Sequence, residues 1–423
     1  MKKIYLDNAA TTPVASEVLG AMKPYFCDDF GNPSSIHSYG QVARSAVDES
    51  RQKIAKFLNC EPGEIIFTSG GSESDNLAIK GIVERIQNTE HRTRQKPHVI
   101  TAQFEHHAVL DTVKELEREG KIEATYIKPD KDGLIAPADI ERAIKENTVL
   151  ISIMYVNNEI GTIQPIREIG KLIQRINLQR SKKQETITKQ IHNSKFEIPD
   201  YGKKSFQIFF HTDAVQAPEY CDMDMKYLHV DLLTMSVHKI YGPKGIGLMF
   251  IKKGTPLKHQ IIGGGQEYRL RAGTENVVGI VGFAEAVTLI KNLKLKTKNY
   301  NLKLKNLRDK LIDGLLKIPG SRLNGSREHR TPNNVNISFD NAEGESILIN
   351  LDMAGVAASS GSACTSGSLE PSHVLTAIGV PAEKSHGSIR FTLGRSTSEE
   401  DIDYVIKIMP GIIEKLRKMS PFQ

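Results

Sequence analysis

The sequence predicts an α/β fold with a mostly parallel, seven-stranded sheet in a large domain, and a smaller α+β domain beside it. Two observations carry this reading. From about residue 60 to 250, short apolar runs rich in β-branched residues alternate with stretches of helical period, which is the pattern of a βα-alternating sheet. After about residue 290 the texture changes to a lysine-rich helical stretch, short strand-like runs and a last helix.

In chain order, the expected strands of the large sheet are Glu64–Thr68, His98–Ala102, Ala124–Ile127, Val149–Val156, Gln207–His211, Leu232–Ser236 and Gly247–Ile251. Beyond them, Leu304, Leu307, Leu311 and Leu315 fall on one helical face. Further short strands are expected around Asn334–Phe339 and Ser388–Leu393, and a final helix from Glu399. The run Ala357–Ser368, nearly all small and polar residues around Cys364, reads as flexible.

Composition narrows the function classes. The 423 residues are 39% hydrophobic and 25% charged, enough for a large core in an ordinary soluble chain. No apolar run approaches the roughly 18 residues of a membrane helix, so a cytoplasmic protein with no membrane partner is expected. Between Arg180 and Lys204 seven basic residues face three acids, so this segment holds +4 of the net charge of +6. The remainder is nearly neutral, and no nucleic-acid partner is expected. The surrounding stretch, about 175–206, is polar and lysine-rich and reads as a surface excursion from the α/β region. Cys27, Cys60, Cys221 and Cys364 lie far apart without C-x-x-C spacing, which suggests neither a disulfide framework nor structural zinc.

Polar residues cluster just after the expected strands, where ligands of such sheets bind. Thr68-Ser69-Gly70-Gly71-Ser72 reads as strand, glycine turn and helix start. Its backbone N–H groups and helix dipole suit a phosphate, although the glycines alone are compatible with a simple tight turn. Lys239 follows a strand and precedes Gly242-Pro243; a desolvated amine there can form a Schiff base, whereas an isolated lysine would lie on the surface. Asp213 follows another expected strand and reads either as a helix N-cap or as the partner of a protonated ring nitrogen. Lysine, carboxylate and phosphate turn together make the parts list of pyridoxal phosphate.

His106, in Phe-Glu-His-His, is placed to stack on a ring and to move protons, or is an ordinary loop histidine. The histidines lack an H-E-x-x-H spacing, and no metal site is expected. Cys364 on its polar run is accessible and able to ionise, as a travelling nucleophile must be. Arg390 lies in a strand-like run, where its planar fork suits a substrate carboxylate or a salt bridge.

Eight stretches, in order along the chain, now carry a resemblance: Tyr5–Pro13, Gly31–His37, Thr68–Asn76, Val156–Gly161, His211–Gln216, His238–Gly245, Arg271–Asn276 and Ser359–Gly367. The chain resembles the cysteine desulfurases of the class V aminotransferase family, in the group serving nitrogenase and general iron–sulfur cluster assembly. The resemblance implies the pyridoxal phosphate transferase fold of type I and removal of sulfur from L-cysteine, giving L-alanine and a persulfide on Cys364. By that resemblance Lys239 carries the cofactor, Asp213 pairs with its ring nitrogen, and Asn158 and Gln216 contact its ring hydroxyl. Gly71, Ser72, Ser236 and His238 hold its phosphate and His106 stacks on its ring. Thr274 reaches the cofactor of a partner subunit, which implies a homodimer. Arg390, with Asn158, binds substrate, and a sulfur-acceptor protein such as an iron–sulfur scaffold takes the product.

The division implied is a large cofactor-binding domain at 16–290, with the basic segment inserted at about 175–206, and a small domain of 1–15 and 291–423 that carries Cys364. Two departures from the family pattern stand out: Ser72 occupies a position where many relatives have threonine, and the basic segment is longer than the family leads one to expect.

Overall fold

The structure is a computed structural model that describes residues 3–89, 95–192, 207–296, 299–360 and 371–419. Its strands, in chain order, are β1 (Ile4–Tyr5), β2 (Ile65–Thr68), β3 (His98–Ala102), β4 (Glu123–Ile127), β5 (Thr148–Ser152), β6 (Phe209–Asp213), β7 (Leu232–Ser236), β8 (Gly247–Ile251), β9 (Ser321–Leu323), β10 (Asn334–Phe339), β11 (Val356–Ala357) and β12 (Ser388–Thr392).

Strands β2 to β8 form the seven-stranded sheet in the order β2-β8-β7-β6-β5-β3-β4. The pairs from β7 through β4 are all parallel, whereas β8 is antiparallel to both neighbours, β7 and β2. Six strands therefore run one way, and β8 alone runs against them. The class and strand number expected from the sequence are those observed.

The sheet is buried on both faces, which is why its strands read as continuous apolar runs rather than alternating ones. Successive residues of a strand point to opposite faces. Accordingly Ile65, Phe67, Ile100, Ile151, Phe210 and Phe250 pack into one core, and Ile66, Val99, Leu150, Phe209 and Met249 into another. A third core is separate. It is built from Leu304, Leu307, Leu311 and Leu315 on the helix Tyr300–Leu315, from Val335 and Ile337 of β10, from Phe391 of β12, and from Ile402 and Val405 on the helix Glu399–Met419. Ile4 and Leu6 join this third core, because β1 pairs in parallel with β11. The N-terminal residues thus pack with the C-terminal part of the chain.

Three expectations need correction. The strand expected at Val149–Val156 stops at Ser152, and the one expected at Gln207–His211 is shifted to Phe209–Asp213; the apolar residues beyond Ser152 are buried in loop form. The run Ala357–Ser368 does not begin as a flexible stretch, since Ala357 lies in β11 and Ser359 pairs with Arg390; residues 361–370 lie outside the described residues. The polar segment expected as a surface excursion starts in helical form, because one helix runs through Ile166–His192. Asn177 then bonds the returning chain twice, its Nδ2 donating to Ile208 O and its Oδ1 accepting from Ile208 N, both at 2.9 Å.

Candidate active site

Because six strands share a direction, their carboxyl ends share an edge, and the residues singled out in the sequence follow those ends. After β7 the chain makes a short turn, Val237–Lys239. Lys239 there is half-buried rather than on the surface, and its Nζ donates to the carbonyls of Ala9 at 2.7 Å and Ala10 at 2.6 Å. Gln216 Nε2 donates to the same Ala9 carbonyl at 3.0 Å. This N-terminal strip is sewn to the turn: Thr12 N and Oγ1 both donate to His238 O at 2.9 Å, and His238 Nδ1 lies 3.2 Å from Thr11 Oγ1. Burial and the neighbouring Lys239 and Lys244 hold His238 down at about 4, so its imidazole is neutral at ordinary pH.

Asp213 closes β6, buried, with Oδ1 accepting from Val215 N at 2.9 Å. No helix starts here, so this contact closes a turn and the N-cap reading of Asp213 is not realised. One ligand atom each of Asp75, His106 and Asp213 lies within 4.8 Å of the others. Burial raises the affinity of Asp213 for a proton, while His106 and Lys239 pull it back down. Asp75 and Glu105, both buried, are pushed well above the usual carboxylate range by desolvation and by Asp213. His211 beneath them is held at about 3 by burial and bonds Ser152 Oγ at 2.8 Å and Thr234 Oγ1 at 3.1 Å. The layer below Asp213 is therefore largely uncharged, and a cation beside Asp213 would favour its ionised form.

His106, half-buried, caps the helix His107–Arg118 by accepting from Ala108 N at 3.1 Å. The glycine turn leads into the helix Gly71–Thr89, with Gly70 packed on Gly247 so closely that a Cβ on Gly247 would lie 2.6 Å from Gly70 Cα. Ser236, buried, faces this turn, and a Cβ on Gly71 would lie 3.8 Å from that of Ser236. Ser72 is exposed in the first helical turn. Arg390 lies in β12, buried; its Nη1 donates to Asn158 O and its Nη2 to Asp7 Oδ1, each at 2.9 Å. The salt-bridge reading of Arg390 is thus realised within the chain. Asn158 itself is half-buried.

Two expected residues stand apart. Thr274 is exposed, on a segment tied to the helix start through Arg271 and Glu73 at 3.0 Å. Cys364 lies outside the described residues. Among the other cysteines, Cys27 is exposed, Cys221 is buried and the thiol of Cys60 is pushed up to about 12 by burial. Sequence reasoning missed Asp7, Asp75 and Glu159. All three lie inside stretches that carried the resemblance; only their pairing across the fold gives them a place.

The aminotransferase class-V family model matches residues 4–179 and 192–405. The chain belongs to the class V aminotransferase family. A cysteine desulfurase, IscS, of Methanosarcina thermophila is 48% identical over 420 residues, covering 99% of this chain and 94% of the relative. Another, of Dictyoglomus turgidum, is 47% identical over 423 residues, covering 100% and 97%. Among solved structures, a NifS-like protein superposes with a TM-score of 0.80 at 32% identity, covering 99% of both chains. SspA in complex with cysteine gives 0.73 at 35% identity, covering 93% of this chain and 99% of the other. Within its family the chain groups with the pyridoxal phosphate-dependent cysteine desulfurases, and its fold is theirs. The match is interrupted at 180–191, inside the helix that carries the basic segment.

The site fits that cofactor on its own chemistry. A buried carboxylate whose charge calls for a cation, an amine 2.6 to 2.7 Å from two carbonyls, and a helix start opening from a glycine turn are complementary to a protonated ring nitrogen, an aldehyde and a phosphate.

Proposed function

We propose that this chain removes sulfur from L-cysteine, giving L-alanine and a persulfide on Cys364. The observation that carries the reading is the convergence of Lys239, Asp213, His106 and Arg390 on the carboxyl edge of the sheet, in a chain nearly half identical to cysteine desulfurases over its full length.

Lys239 would hold the cofactor, Asp213 would pair with its ring nitrogen, and Asn158 and Gln216 would contact its ring hydroxyl. Gly71, Ser72, Ser236 and His238 would hold its phosphate, and His106 would stack on the ring. Pyridoxal phosphate, when bound, supplies an electron sink that acidifies the α-proton of the amino acid. The remaining work falls to the chain. Arg390 binds the substrate carboxylate through its fork and so fixes which bond faces Lys239. Lys239 moves the proton at Cα, and His106 would hold one. The Cys364 thiolate attacks the substrate sulfur: an S–S bond forms, the Cβ–S bond breaks, and Cβ takes up a proton. Sulfur is oxidised and carbon reduced within the same step, so no external oxidant is needed.

We further infer a large domain of 16–290 and a small one of 1–15 and 291–423, a division supported by the separate cores except at Val374, Leu375, Ala377, Ile378 and Val380, which pack into the core of the large domain. A homodimer is supported by the exposed apolar side chains of Phe26, Phe30, Ile36, Tyr39 and Val42 within one short stretch, with Thr274 reaching the partner's cofactor. The persulfide would pass to an acceptor protein such as an iron–sulfur scaffold in the cytoplasm. Among the described residues no helix is long and apolar enough to cross a membrane. The test is alanine formed from L-cysteine by the cofactor-loaded protein: one alanine per sulfur released supports the reading, and none in the presence of reductant and bound cofactor overturns it.

A further inference from the structure

Glu159 is a buried carboxylate that the reaction above does not use. Its Oε2 accepts from Ser372 Oγ at 2.6 Å. Ser372 in turn caps the helix His373–Ala377, accepting from Leu375 N at 3.2 Å. The carbonyl of Glu159 accepts from Nδ2 of Asn334 at 3.2 Å and of Asn336 at 3.1 Å. Asn336 sits directly opposite Arg390 in the β10–β12 ladder, and the carbonyl just before Glu159, that of Asn158, holds Arg390 Nη1. Glu159 therefore meets β10, the strand paired with that of Arg390, through its carbonyl and the chain that follows Cys364 through its side chain, while the neighbouring Asn158 carbonyl holds Arg390 itself. In sequence Ser372 is eight positions beyond Cys364.

We propose that Glu159 is a positioning residue: it fastens the chain after Cys364 to β10, beside the Arg390 strand, and its charge sets the field that Arg390 presents to an incoming α-carboxylate. This rests on the desulfurase reading above. The groups that face it are cationic Arg390 on β12, His106 on the loop after β3 and neutral Ser372; Asp7 holds Arg390 from the N-terminal strip. Burial lifts the Glu159 carboxyl to about 7, against the pull of Ser372, Arg390 and His106. Below that pH it is neutral and draws nothing from the Arg390 charge beyond what Asp7 already holds. Above it, the anion shares the field of Arg390 and repels a second carboxylate.

The test uses the holoenzyme, Glu159→Gln and Ser372→Ala, each with cofactor content checked by absorbance. Binding of L-alanine is measured by calorimetry at about pH 6 and about pH 8.5, alongside alanine production from L-cysteine. The expected result is that wild type binds alanine several-fold more weakly at the higher pH, and that Glu159→Gln loses this difference. Ser372→Ala keeps it while its kcat falls several-fold at unchanged KM. Equal pH dependence in wild type and Glu159→Gln, or a wild-type kcat in Ser372→Ala, overturns the proposal. A wild type that binds alanine but forms none from cysteine instead overturns the desulfurase reading on which the proposal rests.

Discussion

Arg390 Nη2 lies 2.9 Å from Asp7 Oδ1, joining β12 to the N-terminal strip across nearly the whole length of the chain. The arginine is buried, its other terminal nitrogen is held by the Asn158 carbonyl, and its Nε has no hydrogen-bond partner among the described residues. The fork is thus fixed in orientation before substrate arrives, which is how an arginine selects a planar carboxylate. Arg390→Lys keeps the charge and loses the fork. It is expected to raise KM for cysteine by about tenfold or more, the equivalent of one lost charge-assisted hydrogen bond, with a smaller effect on kcat. Asp7→Asn keeps the acceptor oxygen and loses the charge. It is expected to lower stability by about 1–2 kcal/mol, measured by denaturant unfolding.

Asp213 is poised differently, as a buried carboxylate among other carboxyls that gains from a neighbouring cation. Asp213→Asn removes the charge without changing shape. The variant is expected to retain cofactor less tightly and to lose about 10²–10³ in kcat, the usual scale for removing one preorganised electrostatic partner. Absorbance of bound cofactor after dialysis and steady-state alanine production check the two parts separately.

His98 offers a test of the sheet itself. In β3 it is fully enclosed, with Nδ1 2.8 Å from Thr148 Oγ1 and Nε2 2.8 Å from Thr125 Oγ1. Burial depresses it from 6.5 to about 4, so the folded state keeps it neutral where the unfolded chain takes up a proton. Its share of stability is full above about pH 6.5, is lost as pH falls from there to about 4, and changes no further below. The melting temperature of wild type should therefore fall more steeply across that window than that of His98→Gln. Parallel curves would show that His98 does not titrate in this way.

The basic segment should be dispensable for chemistry. Asn177 and Ile208 bond each other at the exit and return of the excursion, and Arg180 still anchors the helix to Thr148 O at 3.1 Å. Replacing residues 182–205 by a short Gly-Ser linker is expected to leave kcat and KM for cysteine unchanged within about twofold, because loop length adds little closure entropy. Kinetics with a chemical reductant as sulfur acceptor provide the check.

Much of this architecture could be read from the chain alone, for identifiable reasons. The central strands are buried on both faces, so their apolar runs are continuous and their limits at β3, β7 and β8 were legible. Val149–Val156 misled because Ile153, Met154, Tyr155 and Val156 are buried beyond the end of β5, where Ile153 N and Tyr155 N still bond the carbonyls of His211 and Asp213, so hydrophobicity alone does not mark where the regular strand ends. The helix that continues past Arg175 was hidden by the polarity of its sequence, since a polar run carries little apolar periodicity. In the site, the residues that act through side chains at strand ends announced themselves. Ala9 and Ala10 did not, because they act through carbonyls. Glu159 and Asp75 did not, because their partners lie on other elements: Ser372 on one side, His211 and Asp213 on the other.

The central claim is that cysteine sulfur passes to Cys364 with alanine as the other product. It is tested most directly by giving the cofactor-loaded protein L-cysteine without reductant, then measuring alanine and protein-bound persulfide by mass spectrometry, in wild type and in Cys364→Ala. The account predicts about one alanine and one persulfide per chain in a single turnover of wild type, the persulfide mapping to Cys364, and neither product in the variant. Persulfide at another cysteine, or undiminished alanine from Cys364→Ala, would contradict it.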